Sequence, residues 1–348
     1  MSTALVPIKD TTSMAASTPL MGPATGLRAN AEAPRLRLPT MLAVPVACAA
    51  GIALHLLVRK NDPEPDTTSY LVFLGGLMSL SLLMGMVQVF VASVRHWLAH
   101  MLPIVAGALG CLSVWEIFTS GFRWLPLPYF PSPASVLRSL LLDWELLFDS
   151  TWHSLLLLIS GYILGAFVGI VTGICVGWFK QARYWGMPLL KVVGPIPATA
   201  WIPLAMVISP KPILSAVGLI ALAVWFPVTM LTMSGIANTR ASYLDVARTL
   251  GAGPSFLIFR VAIPAAMPNI FLGLFMGLGA SFLTLIVAET VGVRSGLGWY
   301  VSWAQGWAEY GKVYAALVIM AAFFSTIMTL LFKARDRVLV WQKGTIKW

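Results

Sequence analysis

YLDVARTLGAGPSFLIFRVAIPAAMP, Tyr243 to Pro268, interrupts a chain otherwise made of long apolar runs, and it reads as two short helices joined by a turn. Ser242 followed by Asp245 is a capping-box pattern, in which the hydroxyl accepts from an orphan amide while the carboxylate reaches back. Tyr243, Val246, Ala247 and Leu250 fall at i, i+3, i+4 and i+7, one apolar face of a short helix. Gly251 stops that helix, because glycine takes the left-handed position after a helix end cheaply. Gly253 and Pro254 start a second helix with proline where a missing N–H costs nothing. Pro264 and Pro268 are expected to close it before the next apolar run. Periodicity alone leaves one alternative open, an interhelical loop lying on the lipid surface.

The rest of the chain decides the solvent. Of 348 residues, 58% are hydrophobic and only 10% are charged, and several runs reach the length needed to cross a bilayer. A hydrocarbon core of about 30 Å takes roughly 20 apolar residues in a helix, so the expected fold class is an all-α polytopic membrane protein. The formal charge of +10 is scattered through short loops rather than gathered into a basic stripe with aromatics. Nucleic acid is therefore not an expected partner; accumulation of Lys and Arg on the cytoplasmic side explains the charge better. Cys48, Cys111 and Cys175 sit inside apolar runs with no CxxC pair. They suggest neither a metal site nor a disulfide, and read as buried small hydrophobes.

Residues 1–40 are rich in Ala, Pro, Thr and Ser and read as a disordered cytoplasmic tail. Apolar runs follow at about 41–58, 70–94, 101–121, 151–179, 187–209, 213–237, 269–291 and 312–332, eight spans in all. The proline-punctuated stretch Leu125 to Ser150 is too charged to span and is expected to lie along the outer surface. Lys180, Arg183, Arg240, Arg248, Arg260 and a basic C-terminal tail outweigh the basic residues of the opposite loops. That bias places the 241–268 hairpin and both termini in the cytoplasm. Gly161, Gly165, Gly169, Gly173 and Gly177 recur every fourth residue, giving one helix a smooth side for close approach. Static packing is the favoured reading, and a sliding surface the alternative.

Four ordered segments carry a family resemblance. Asp245-Val246-Ala247, then Gly251, then Val261-Ala262-Ile263-Pro264 is similar to the cytoplasmic loop of bacterial ABC importer permeases, roughly E-A-A, three residues, Gly, nine residues, I-x-L-P. Asp replaces Glu, Val replaces the first Ala, and Val and Ile replace the closing Ile and Leu, so charge or apolar character is kept. GPIPATAWIPLAM (Gly194 to Met206), AETVGVRSGLGWY (Ala288 to Tyr300) and Phe130-Pro131-Ser132-Pro133 with Val136 resemble the nitrate, sulfonate, taurine and bicarbonate subgroup. The resemblance implies a six-helix type I permease core over 100–335, two extra N-terminal transmembrane helices over 41–95, and a basic cytoplasmic tail over 336–348. It further implies a multi-pass protein of the bacterial cytoplasmic membrane, carrying a small oxyanion or organosulfonate. The implied partners are a second permease copy, ABC ATPase subunits, and a periplasmic or lipid-anchored solute-binding protein.

The hairpin suits that role. Tyr243, Val246, Ala247 and Leu250 can lie in an apolar groove of a partner, with Asp245, Arg248, Gly251 and Pro264 setting register and shape. No GxxxxGK[ST] phosphate loop occurs in the chain, so it is expected to be no enzyme and to hold no cofactor, with ATP and magnesium on the partner ATPase. For the translocation path, Pro195, Pro197 and Pro203 interrupt one span and free backbone groups. This nominates Pro197, Thr199, Trp201 and Pro203. Ser281 and Thr284 offer hydroxyls that suit an anion, and Glu289 is an ionisable group at the outer end of an apolar run, a gate or an ion pair with Arg294 as readily as a substrate contact. Glu116 reads as an interfacial anchor; Lys191 and His153 could attract anions, but both lie near expected span ends, where snorkelling to the interface is the commoner explanation. An ATP-independent secondary transporter or channel would favour an inverted repeat and paired midplane acids, and neither is found. An integral membrane enzyme would need clustered His, Asp or Glu.

Overall fold

A computed structural model describes residues 38–58, 68–87, 92–122, 124–125, 127–209 and 211–340. The tail expected over 1–40, apart from its last three residues, and that expected over 336–348, apart from its first five, lie outside the described residues. The described chain is helical throughout: α1 (Leu38–Val58), α2 (Thr68–Val87), α3 (Ala92–Glu116) with a π-helical turn Ile117–Gly121, α4 (Pro133–Leu142), α5 (Trp144–Trp178) and α6 (Lys180–Val193). After a 3₁₀ turn Ala198–Trp201 come α7 (Ile202–Ile208), α8 (Pro212–Ala237), α9 (Ala241–Thr249) and α10 (Pro254–Phe256). A π-helical segment Leu257–Ala262 then leads into α11 (Ile263–Val291), α12 (Leu297–Gly306) and α13 (Tyr310–Val338). Seven of these are long and apolar enough to cross a membrane.

The glycine stripe fixes the topology. A Cβ built on Gly161 would lie 2.6 Å from the Ile220 Cβ, and one on Gly177 would lie 2.9 Å from the Ile236 Cβ. Between them, Gly165 meets Val224, Gly169 meets Val228 and Gly173 meets Thr232. The two series rise together, so α5 and α8 run parallel with a ridge of mostly β-branched side chains seated in the glycine groove. Parallel neighbours need a return crossing between them. The segment α6–α7, bent by 86° at its break, is therefore a complete broken span and not a re-entrant loop, and the described helices make eight crossings. Tyr162 strengthens the bundle by donating to the Leu274 carbonyl of α11 at 3.0 Å.

The bundle has two distinguishable ends. At one, Ile236, Ala262, Ala266 and Ile270 pack with Ile174 and Trp178, beneath the α9 hairpin. At the other, Leu157, Ala216, Leu285 and Ala288 pack together. Gly311 sits against Ser135 and Ser139 of α4, and Asp143 accepts from Tyr300 at 2.7 Å while pairing with Lys312 at 3.2 Å. Val58 lies beside Gly121, so α1 runs parallel to α3. The start of α1 and the end of α13 thus lie at the hairpin end.

Several expectations are corrected. The charged stretch over 125–150 is not one surface element: Ser132 caps α4, accepting from the Ser135 amide at 3.3 Å, and the chain breaks at Asp143. Trp144 to Ser150 is the first part of α5, whose 35 residues span about 52 Å, more than a bilayer core requires. Pro264 and Pro268 do not end a helix, because helical structure continues from Pro254 to Val291. Proline cannot donate to the carbonyl four residues back and crowds it; the wider π-helical ladder over 257–262 absorbs that defect. Glu116 is no interfacial anchor. It is buried and hydrogen-bonded to His55 of α1, with Tyr70 of α2 edge-on to the imidazole. Of the cysteines, Cys48 alone is buried; Cys111 is exposed and Cys175 half-buried.

Candidate transport path and coupling hairpin

The hairpin begins at Ala241 with Arg240 at the N-cap, two residues earlier than a capping box at Ser242 requires, and no side chain caps it. Asp245 instead pairs with Arg248 at 3.0 Å. Its end is as the glycine predicts: Gly251 has φ +84°, the Gly251 amide donates to Arg248 O at 2.9 Å, and the Ala252 amide donates to Ala247 O at 3.0 Å. That pair of bonds satisfies two terminal carbonyls and turns the chain sharply. Leu244 and Ala247 are half-buried, facing the packed side. Tyr243, Val246 and Leu250 are 51%, 62% and 83% exposed. The Arg240 guanidinium lies 5.9 Å from the Tyr243 ring. Tyr243, Val246 and Leu250 thus form an exposed apolar face beside the charged Arg240, Asp245 and Arg248, held on a two-helix corner. Pro264 lies at the far side of the π-helical segment, where it sets the entry into α11.

At the break between α6 and α7 the structure brings together Pro197, Thr199 and Thr284. With Gly194, Leu222, Ala223, Phe226, Ala280 and Leu283 they line a cavity of about 240 Å³. The break leaves Pro195 and Pro197 without amides to donate, and the cavity is where that irregular backbone is accommodated. Met187, Leu190, Lys191, Gly194, Pro195, Phe226 and Met230 line a second cavity of about 400 Å³ on the hairpin side of the first.

A family model described as "Binding-protein-dependent transport system inner membrane component" matches residues 161–339, from the first glycine of the stripe to just past α13. The chain belongs to that family. Its curated relatives include the bicarbonate transport system permease protein of Synechococcus elongatus, 32% identical over 258 residues, which cover 71% of this chain and 90% of the relative. A probable ABC transporter permease protein of Brucella abortus is 32% identical over 217 residues, 61% of this chain and 86% of the relative. A putative aliphatic sulfonates transport permease protein of Bacillus subtilis is 30% identical over 213 residues, 60% and 76% respectively. These are ABC transporter permeases, and the expected subgroup resemblance is borne out.

Within the permease the remaining candidates part company. Ser281 is fully buried, and its hydroxyl donates to the Leu278 carbonyl of its own helix at 2.6 Å. Trp201 and Pro203 do not line the cavity of Thr199; the Trp201 indole N–H is buried without a partner among the described residues. Glu289 forms no described ion pair with Arg294 and does not reach the cavity. It is buried, accepts from the Ser154 hydroxyl at 2.6 Å, and accepts from the Gly298 amide at 2.7 Å. The Leu297 amide donates to Ser154 at 2.9 Å. Glu289 and Ser154 therefore cap α12 from outside, satisfying amides that the helix itself leaves open. Gly296, at φ +110°, and Gly298 are glycines because a Cβ would meet the Glu289 carboxyl group at the first and the Ile286 carbonyl oxygen, then Glu289 Cβ, at the second. Sequence reasoning missed Phe226 and Gly194. The available signal was the closeness of Gly194 to the proline break, which marks a backbone that a bulky side chain approaches.

Proposed function

We propose that this permease forms half of an ATP-driven importer for a small oxyanion or organosulfonate, of the bicarbonate, nitrate, taurine or alkanesulfonate class. The observation that carries the reading is the exposed face of Tyr243, Val246 and Leu250 at one end of the bundle, in a chain with no phosphate-binding loop. An amphipathic helix of this kind lies in the groove of a partner, here a separate ABC ATPase that carries ATP and magnesium; this chain holds no cofactor. A second copy of the permease completes the path, and a periplasmic or lipid-anchored binding protein delivers substrate from the distal side. The hairpin end, with Lys180, Arg183, Arg240, Arg248, Arg260, Lys333, Arg335 and Arg337, is the cytoplasmic side by its basic excess, which puts both termini there too. Pro197, Thr199 and Thr284 line the path. The names of the bicarbonate and sulfonate relatives support the anion class.

The test is reconstitution of the permease with its ATPase and binding protein in proteoliposomes. Uptake of bicarbonate, nitrate or ethanesulfonate that needs all three components and ATP is expected. Leu250→Asp should release the ATPase on purification and abolish uptake. Full uptake without any ATPase would replace the importer by a secondary transporter or channel.

A further inference from the structure

The two cavities at the broken span share Gly194 and Phe226. The Phe226 ring is seated directly on Gly194, in the space a Cβ would occupy there. Helix direction orders the rest. The first cavity is lined by Leu222 and Ala223, before Phe226 in α8, and by Thr199 and Thr284. The second is lined by Met230, one turn further toward the hairpin end. One aromatic ring thus separates a distal chamber lined with hydroxyls from a chamber on the hairpin side. Among the described residues, Lys191 is the single charged side chain lining either chamber, and no carboxylate pairs with it. The span runs from Lys180 to Ile208, so Lys191 lies eleven residues into it, about 16 Å along the helix. That is the last turn of α6, at the bend and away from the Lys180 end of the span, and the Lys191 side chain lines the second cavity.

We propose that Lys191 is the charge-selecting residue of the path, a cation held behind the Phe226 ring to receive the substrate anion as it leaves the hydroxyl-lined chamber. This rests on the importer reading above and names its substrate as net anionic at the point of transfer. A lone positive charge in a low-dielectric cleft concentrates anions and speeds their entry by roughly tenfold or more, an effect that fades with ionic strength. Thr199 and Thr284 supply neutral polar contacts, so charge selection falls to Lys191.

The experiment compares wild type, Lys191→Gln, Lys191→Arg and Lys191→Glu in the complete reconstituted complex, using radiolabelled bicarbonate, nitrate and ethanesulfonate as separate probes. ATP hydrolysis stimulated by the binding protein is measured alongside. At low salt, Lys191→Gln should lower uptake of the transported probe roughly tenfold while stimulated hydrolysis persists. Lys191→Arg should retain uptake, Lys191→Glu should lose more, and the gap between wild type and Gln should narrow as salt is raised. Uptake by Lys191→Gln equal to wild type overturns the proposal and leaves the importer reading standing. Equal losses in the Gln and Arg variants, or loss of stimulated hydrolysis with uptake, mark a structural role and also overturn it. A wild-type complex that moves none of the three anions overturns this inference, and one that moves them without any ATPase removes the importer reading with it.

Discussion

Replacing Gly173 by alanine tests the register between α5 and α8 most directly. The added Cβ would lie 2.6 Å from Thr232 Cβ, 2.8 Å from the Thr229 carbonyl oxygen and 2.9 Å from Thr232 Cγ2. Carbon atoms rest about 3.5–4.0 Å apart, so relief needs a local separation of about 1 Å. No rotamer provides it, because Thr232 Cβ is bonded to the backbone and the Thr229 oxygen is backbone. Overpacking of this kind costs about 1–3 kcal/mol, offset by about 1 kcal/mol from the better helix propensity of alanine. A net loss of about 0–2 kcal/mol remains, up to roughly 8 °C in melting temperature, while the difference from an unobstructed glycine-to-alanine change stays at about 1–3 kcal/mol. The control is Gly107→Ala on α3, where a Cβ meets nothing within 4 Å. The assay heats purified permease in detergent and follows the surviving monodisperse fraction by size exclusion. If Gly173→Ala melts with Gly107→Ala, the interlocked packing is wrong and the alternative of a sliding surface returns.

Three further outcomes follow from the same geometry. Gly251→Ala meets no obstacle in space but forces an L-residue to φ +84°, at about 1–2 kcal/mol; amide exchange over 248–252 should quicken and ATPase copurification weaken, whereas unchanged protection would contradict the turn described. Glu289→Ala orphans the Ser154 hydroxyl and the Gly298 amide, about 1–3 kcal/mol each; exchange at the start of α12 should rise, and an unaltered pattern would show that the cap contributes nothing. His55→Leu strands Glu116 in the α1–α3 interface, a loss of about 3–5 kcal/mol. His55→Leu with Glu116→Leu should recover most of it, and a double variant as unstable as the single would argue against an ion pair.

Legibility followed sequence distance. The hairpin stood out because its signals are local: a four-residue apolar face, Gly251 and Pro254 act within a turn or two of themselves. The eight spans were countable from apolar runs, although the sharp bend within the one at 180–208 came from prolines whose effect on direction a sequence does not state. Pro264 misled because a helix can widen to accommodate proline, and nothing in the residue says whether it will. Glu289 and Ser154 stand 135 positions apart and His55 and Glu116 stand 61 apart; a buried acid advertises its need for a partner but not which one. The glycine stripe announced a close neighbour. Its mate, Ile220, Val224, Val228, Thr232 and Ile236, keeps the same spacing of four and became recognisable once the two helices were seen to run the same way.

Because helical structure is unbroken from Pro254 to Val291, the second limb of the corner and the wall of the hydroxyl chamber are one rod of 38 residues, about 57 Å long. Gly273 and Gly277 rest on Val228 and Val224 near its middle, and its far tip carries Glu289, which holds the first amides of α12. Corner, chamber wall and the anchor of α12 are thus parts of one continuous helix, and none of the three can be repositioned without bending it or carrying the others along.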